Sequence, residues 1–231
     1  MKSHKNLKLG IIGSSGRMGI EVQKAAEEMG FSISQLINSE NLSTFLKNTQ
    51  KPKVDIWIDF SAPKVLNEIL GHLQKYPAPL VSGTTGIDKE IKAKLLLVSK
   101  KSPVFWAPNM SIGVAVVTRM LEAFDGLDDF DFQIDETHHK RKKDRPSGTA
   151  ILLQDKLQEV MGRKKIPSPL AIRGGGVYGI HRIQAFSEEE IISIEHTALN
   201  RRVFAKGALW AAEKIAKYKS GYFEMKDLFK K

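Results

Sequence analysis

The chain has 231 residues, 42% hydrophobic and 27% charged, which fits one large or two modest globular domains and excludes a disordered one. It contains no cysteine, so disulfides, zinc–thiolate sites and iron–sulfur clusters are excluded, and a reducing, cytoplasmic setting is expected. The net charge of +10 at pH 7 suits nucleic acid or small polyanions, but the lysines are scattered and no aromatic-interleaved basic stripe exists, so small anions are the expected partners.

The polar start Met1–Asn6 leads into Leu7–Ile12, an apolar run too short for a signal h-region. No stretch nears the roughly 20 apolar residues of a membrane span, so no membrane partner is expected. Leu7–Ile12 has the character of a buried strand ending in Gly13-Ser14-Ser15-Gly16-Arg17-Met18-Gly19. The apolar spacing of Val22, Ala25, Ala26 and Met29 predicts a helix over Ile20–Met29. A second strand is expected over Phe31–Ile37, and a third over Val54–Phe60 with a helix starting near Pro63. Further strands are expected at Leu80–Ser82 and Val104–Trp106, with a helix over Lys89–Lys100 between them. This alternation predicts an α/β fold, a Rossmann-like parallel sheet covered on both faces.

Beyond Ser111 the pattern changes. A helix is expected over Gly113–Phe124, a half-buried strand over Phe130–Thr137, a helix over Thr149–Met161, and a hairpin from Ile180–Ser187 and Ile191–Thr197. That is an α+β domain with a mixed sheet. Val203–Lys217 is apolar again at Val203, Gly207, Leu209 and Ala212, so a terminal helix should return to the first domain. The expected division is a dinucleotide-binding domain from 1–111 and 203–231, and a substrate-binding and oligomerisation domain from 112–202. The hairpin residues Ile183, Phe186, Ile192 and Ile194 either form an apolar face for assembly or pack on the preceding helix.

The glycine turn stands between a strand and a helix, the context of a dinucleotide phosphate site. Its G-x-x-G-x-x-G spacing is weak alone, since a ligand-free turn has the same composition. Two companions strengthen it: Ser82-Gly83-Thr84-Thr85-Gly86 and Ala107-Pro108-Asn109-Met110-Ser111 also follow strands, where open α/β sheets bind ligands. Candidate cofactor contacts are therefore Gly13, Ser14, Ser15, Gly16, Arg17 and Met18, with Gly83, Thr84, Thr85, Ala107, Pro108, Asn109 and Met110. Asn38 stands where a ribose-binding carboxylate would be expected. Nothing there repels a 2′-phosphate and no arginine welcomes one, which tips the expectation towards NADPH with NADH usable.

Glu136–Ala150, E-T-H-H-K-R-K-K-D-R-P-S-G-T-A, joins a strand to a helix. Adjacent histidines are poised for proton exchange near neutral pH. Lys140, Arg141, Lys142, Lys143 and Arg145 would depress their proton affinity and hold an anion nearby. Pro146-Ser147-Gly148-Thr149 would open the helix and present donors to a carboxylate. A merely solvated basic loop is the bland alternative. A metal site is not expected, because His138 and His139 lack spaced carboxylate partners.

The string E-x-H-H-x-x-K-x-D-x-P-S-G-T-A resembles the signature of the dihydrodipicolinate (4-hydroxy-tetrahydrodipicolinate) reductase family of lysine and diaminopimelate biosynthesis. The resemblance continues through G-S-S-G-R-M-G, V-S-G-T-T-G, A-P-N-M-S-I-G-V, R-G-G-G-V-Y-G-I-H and F-A-K-G-A-L-W-A-A, in order along the chain. It implies a NAD(P)H-dependent reductase of a cyclic dicarboxylate, built as a homotetramer. His138 would then be the general acid, with Lys142 as second proton donor or charge stabiliser. His139, Ser147, Gly148 and Thr149 would grip substrate carboxylates. Another Rossmann oxidoreductase of amino-acid metabolism would share the first domain without the H-H-x-x-K string. A non-catalytic nucleotide-binding protein would bind the cofactor without oxidising it.

Overall fold

The apolar run at the start of the chain becomes β1 (Lys8–Ile12), whose last four residues are buried. A computed structural model describes residues 7–48, 52–162 and 164–229. The polar stretch Met1–Asn6, expected to carry no cleavable leader, lies outside these. The chain divides into two units, one containing the chain up to Met110 together with Phe204 onward, the other Ser111–Val203.

In the first unit β1 is followed by α1 (Arg17–Glu28), β2 (Ser32–Ile37), α2 (Leu42–Lys47), β3 (Ile56–Asp59), α3 (Pro63–Lys75), β4 (Leu80–Ser82), α4 (Lys89–Ser99) and β5 (Pro103–Trp106). After the second unit the chain returns as α7 (Arg202–Ile215) and β10 (Gly221–Phe223). The strands form one sheet in the order β10-β5-β4-β3-β1-β2, every pair parallel. Parallel strands must be covered on both faces, and β3 and β4 are buried along their whole length. One face packs Leu9, Ile11 and Ile58 against Val22 and Ala26 of α1 and Ala208, Leu209 and Ala212 of α7. The other packs Ile12, Trp57 and Val104 against Leu66 and Leu70 of α3 and Leu95 of α4. The terminal helix thus returns to the first sheet as its apolar spacing predicted.

The register aligns Ile12 with Asp59, Asp59 with Ser82, and Ser82 with Trp106. The four loops that leave these strands therefore start at one level. β1 lies between β2 and β3, so winding reverses there, and ligands of open α/β sheets bind at such a reversal.

The second unit contains α5 (Ile112–Met120), β6 (Asp131–His138), α6 (Gly148–Met161), β7 (Leu170–Arg173), β8 (Gly179–Phe186) and β9 (Ile191–Ala198). Its sheet order is β7-β6-β8-β9, with β6 and β7 parallel and the other pairs antiparallel. The expected helix over Gly113–Phe124 is α5 followed by a 3₁₀ turn at Leu121–Phe124. One sheet face is covered by Leu153 and Leu157 of α6 and Val117 of α5. Ile183 is fully buried in that cluster, and Ile192 and Ile194 pack against it. Of the two expectations, packing on the helix holds for Ile183, Ile192 and Ile194, while Phe186 lies on the other face. Ile183 pairs with Ile194 whereas Phe186 pairs with Ile191, and strand alternation puts the two pairs on opposite faces.

Candidate active site

Gly13 follows β1 with a φ of +77°, and a Cβ there would stand 2.6 Å from the Phe60 carbonyl oxygen, so only glycine fits. The Gly13 and Ser14 N–H groups and the Ser14 hydroxyl all donate to the Ile37 carbonyl, at 2.9, 3.0 and 3.1 Å. Ser14 is buried and ties the turn to the end of β2. Gly19 gives clearance to the turn itself, since a Cβ there would meet the Gly13 oxygen at 2.2 Å. Ser15, Gly16 and Arg17 are exposed and Met18 is half-buried. Gly16 is the N-cap of α1 and provides no side-chain cap, so the first turn keeps its donors for a ligand.

Asn38 closes β2 in a local turn. Its side-chain oxygen accepts from the Glu40 and Asn41 N–H groups at 2.9 and 3.2 Å. Across the sheet, Asp59 is wholly buried and gathers the next loops. It accepts from the hydroxyls of Ser61, Ser82 and Thr84 at 2.5, 2.6 and 2.7 Å, and from the Ser61 N–H at 3.0 Å. Burial pushes its pKa up, against these hydrogen bonds. Thr84 therefore turns inward, its N–H donating to Ser82 Oγ at 3.4 Å and its carbonyl accepting from Trp106 Nε1 at 3.0 Å, while Thr85 is exposed. Gly83 clears the Phe60 ring, which a Cβ would meet at 2.4 Å. After β5, Ala107 and Met110 belong to the core, Pro108 is exposed and Asn109 half-buried.

The second constellation lies in the second unit. The E-x-H spacing puts Glu136 and His138 on the covered face of β6, and His138 Nδ1 donates to Glu136 Oε2 at 2.5 Å. Arg173 of β7 donates to both carboxylate oxygens at 2.8 and 2.7 Å, and the Ser147 N–H donates to Oε1 at 3.1 Å. Burial opposes ionisation of Glu136, but Arg173 and then His138 hold its pKa below the ordinary value. His138 Nε2 faces Gly179, where a Cβ would stand only 2.9 Å away. His181 of β8 meets the His138 ring edge-on, centroids 5.1 Å apart.

Lys142 pairs with Asp144 at 2.9 Å and donates its N–H to the His139 carbonyl. His139 is half-buried, with Nδ1 enclosed and without a hydrogen-bond partner. Ser147 is the N-cap of α6; its hydroxyl accepts from the Ala150 N–H at 3.2 Å and lies 3.3 Å from His181 Nε2. Being buried, Ser147 sets the helix terminus, while Gly148 is exposed and Thr149 half-buried beside it.

The expected cause of the histidine shift needs correction. The pKa of His138 is lowered first by burial, with Glu136 working against it and Lys142 and Arg173 reinforcing it. The basic run contributes through Lys142, while Lys140, Arg141, Lys143 and Arg145 are exposed to solvent, where charges are screened. Burial, then His138 and His196, push His181 down to about 3.

Three residues of these constellations had no role in the sequence reading: Asp59, Arg173 and His181. Arg173 and His181 open and close the R-G-G-G-V-Y-G-I-H string, the available signal for both. Asp59 is distinguished only as a carboxylate at the end of an otherwise apolar strand.

A family model described as "Dihydrodipicolinate reductase, N-terminus" matches residues 7–110, and its C-terminal counterpart matches residues 113–229. The 4-hydroxy-tetrahydrodipicolinate reductase of Bdellovibrio bacteriovorus is 47% identical over 224 residues, covering 97% of this chain and 96% of its own. That of Campylobacter jejuni subsp. doylei is 35% identical over 245 residues, with 97% of each chain covered. Among solved structures, dipicolinate-bound dihydrodipicolinate reductase from Paenisporosarcina sp. TG-14 superposes with a TM-score of 0.74 at 21% identity, covering 94% and 97% of the two chains. Aspartate dehydrogenase from Thermotoga maritima shares the fold more distantly, with a TM-score of 0.51 at 14% identity over 94% of this chain and 99% of its own.

Proposed function

The chain belongs to the dihydrodipicolinate reductase family, and from that membership we infer that it reduces 4-hydroxy-tetrahydrodipicolinate to tetrahydrodipicolinate with NAD(P)H. This is the reductase step of diaminopimelate and lysine biosynthesis. The observation that supports it most is the 47% identical relative matched along nearly the whole chain. Replacing a C–OH by a C–H consumes a hydride and a proton and releases water. The protein must therefore bind a hydride donor and provide an acid.

The first unit fits a dinucleotide. The uncapped first turn of α1 and the exposed Ser15, Gly16 and Arg17 would hold the pyrophosphate, with Gly13 shaping the turn. When bound, the reduced nicotinamide supplies the hydride. Gly83, Thr85, Pro108 and Asn109 would line its place beyond β4 and β5, with Thr84 bracing the turn between them. Ser14, Ala107 and Met110 support those loops from beneath. At Asn38 no carboxylate opposes a 2′-phosphate, which favours NADPH while leaving NADH usable.

The second unit supplies the acid and the anion site. His138 is assigned as the proton donor through Nε2, because Nδ1 is engaged by Glu136. Lys142 stabilises charge developing on the ring and serves as second donor. Gly148 and Thr149 at the α6 N-terminus, with His139, would grip the substrate carboxylates, and Ser147 fixes that terminus.

We place the enzyme in the cytoplasm as a homotetramer. Leu170, Ile172 and Ile191 are exposed on the uncovered sheet face, which is the surface proposed for assembly. Among the described residues no helix is long and apolar enough to cross a membrane.

The function is tested by absorbance loss at the nicotinamide band on adding enzymatically generated 4-hydroxy-tetrahydrodipicolinate, with NADPH and NADH in parallel. Oxidation of both, with the higher kcat/KM for NADPH, is expected. Binding of either cofactor without oxidation would contradict the assignment, and a higher kcat/KM for NADH would overturn the cofactor preference alone.

A further inference from the structure

Glu136 lies on the same strand face as His138, and β7 runs parallel to β6 with Arg173 in register with His138. Each carboxylate oxygen takes two donors: Oε1 from Arg173 Nη2 and the Ser147 N–H, Oε2 from Arg173 Nη1 and His138 Nδ1. A carboxylate has about four lone-pair sites, so this one is filled and cannot turn. It is wholly buried, as is nearly all of the Arg173 side chain, so water does not compete for these contacts. Arg173 is itself anchored by a 2.7 Å bond from Nη2 to the Asp144 carbonyl. The pair is built with more care than packing alone demands.

An ionised carboxylate has no proton to give, so the hydrogen between Glu136 and His138 belongs to Nδ1. The ring is thereby fixed in one tautomer with Nε2 left to exchange a proton, and Nε2 faces the space kept open by Gly179. A buried carboxylate alone beside an imidazole would raise its proton affinity and make the imidazolium a poor acid. A guanidinium across the same carboxylate works against that field, alongside the larger effect of Lys142.

We propose that Glu136 and Arg173 are positioning residues for the proton transfer: Glu136 fixes the tautomer and orientation of His138, and Arg173 holds the Glu136 carboxylate from its other side and offsets part of its charge. The inference rests on the assignment of His138 as the acid. The charged and titratable groups facing His138 are Glu136 on its own strand, Arg173 from β7, Lys142 from the following loop and His181 from β8. Lys142 and Arg173 favour the neutral ring and Glu136 the charged one, so removing one member of the Glu136–Arg173 pair should move the titration in a direction set by its charge.

The test is the pH profile of kcat in E136Q and R173M, with cofactor affinity read by NAD(P)H fluorescence. kcat of E136Q should fall about 100-fold, the lower end of what a positioned acid contributes, with cofactor affinity unchanged. The alkaline limb, which reports loss of the acid's proton, should move to lower pH in E136Q and to higher pH in R173M. A structural defect has no reason to move the limbs in opposite directions. Limbs that stay in place, or move the same way, overturn the proposal.

R173M leaves a buried carboxylate without its guanidinium, a loss that can prevent folding, so a second measurement uses the unmutated protein. Long-range ¹⁵N–¹H imidazole correlations, assigned with H138Q, should show neutral His138 protonated at Nδ1. Protonation at Nε2 overturns the proposal. This spectrum needs neither substrate nor turnover, so it separates failure of the holder from failure of the His138 assignment, which H138A turnover tests.

Discussion

His181 shows how burial sets chemistry at a single residue. Its pKa is pushed from the ordinary 6.5 to about 3, first by burial and then by His138 and His196. Between these values the unfolded chain binds a proton that the folded chain refuses, so stability is intact above about pH 6.5 and falls as pH drops towards 3. One such proton is worth about 1.4 kcal/mol per pH unit. Urea unfolding at several mildly acidic pH values should show H181Q with a slope shallower by about that amount, and equal slopes would contradict it. At the phosphate turn, the exposed Arg17 makes a different prediction: R17A should raise the cofactor KM and leave kcat close to normal. An unchanged KM would remove Arg17 from the phosphate contact. Much at this scale was legible, because the two histidines, Lys142 and the glycine turn lie in short strings. Arg173 was not, being 37 residues from Glu136 and brought to it only by the parallel pairing of β6 and β7. Asp59 was hidden for the same reason, since its partners Ser82 and Thr84 lie 23 and 25 residues away.

Among the elements, α7 shows packing overriding propensity. Gly207 in the middle of this helix costs about 1 kcal/mol relative to alanine by intrinsic preference. A Cβ there would stand 1.7 Å from the Met110 carbonyl oxygen, an overlap that backbone cannot relieve without moving the helix. G207A should therefore destabilise the protein by about 1–3 kcal/mol, the range for overpacked cores. A thermal melt in which G207A matches or exceeds the parent would show that helix and loop are looser than described. Elements with a long apolar repeat or a glycine boundary were legible: β1, α1, β4, α6 and the β8–β9 hairpin lie within a residue or a few of expectation. β7 and β10 were not, being four and three residues long with no run of alternation to detect. α2 was missed because its six residues bury a single side chain, Phe45, leaving no helical period in the sequence.

Across the whole molecule, the α/β alternation and the return of α7 to the first sheet followed from periodicity, and the activity followed from ordered motifs rather than from the fold. The fold alone is shared with proteins of other function, such as the aspartate dehydrogenase of Thermotoga maritima. The proposed cofactor and substrate residues lie in separate units, so damage to one function can be measured without the other. The most direct test of the account is therefore the turnover of H138A beside the parent, with saturating NADPH and 4-hydroxy-tetrahydrodipicolinate and with NADPH affinity measured on the same samples. Loss of the acid should lower kcat by about 10²- to 10⁴-fold while NADPH affinity is retained. Turnover within a few-fold of the parent would show that the proton comes from elsewhere and would contradict the assignment of His138.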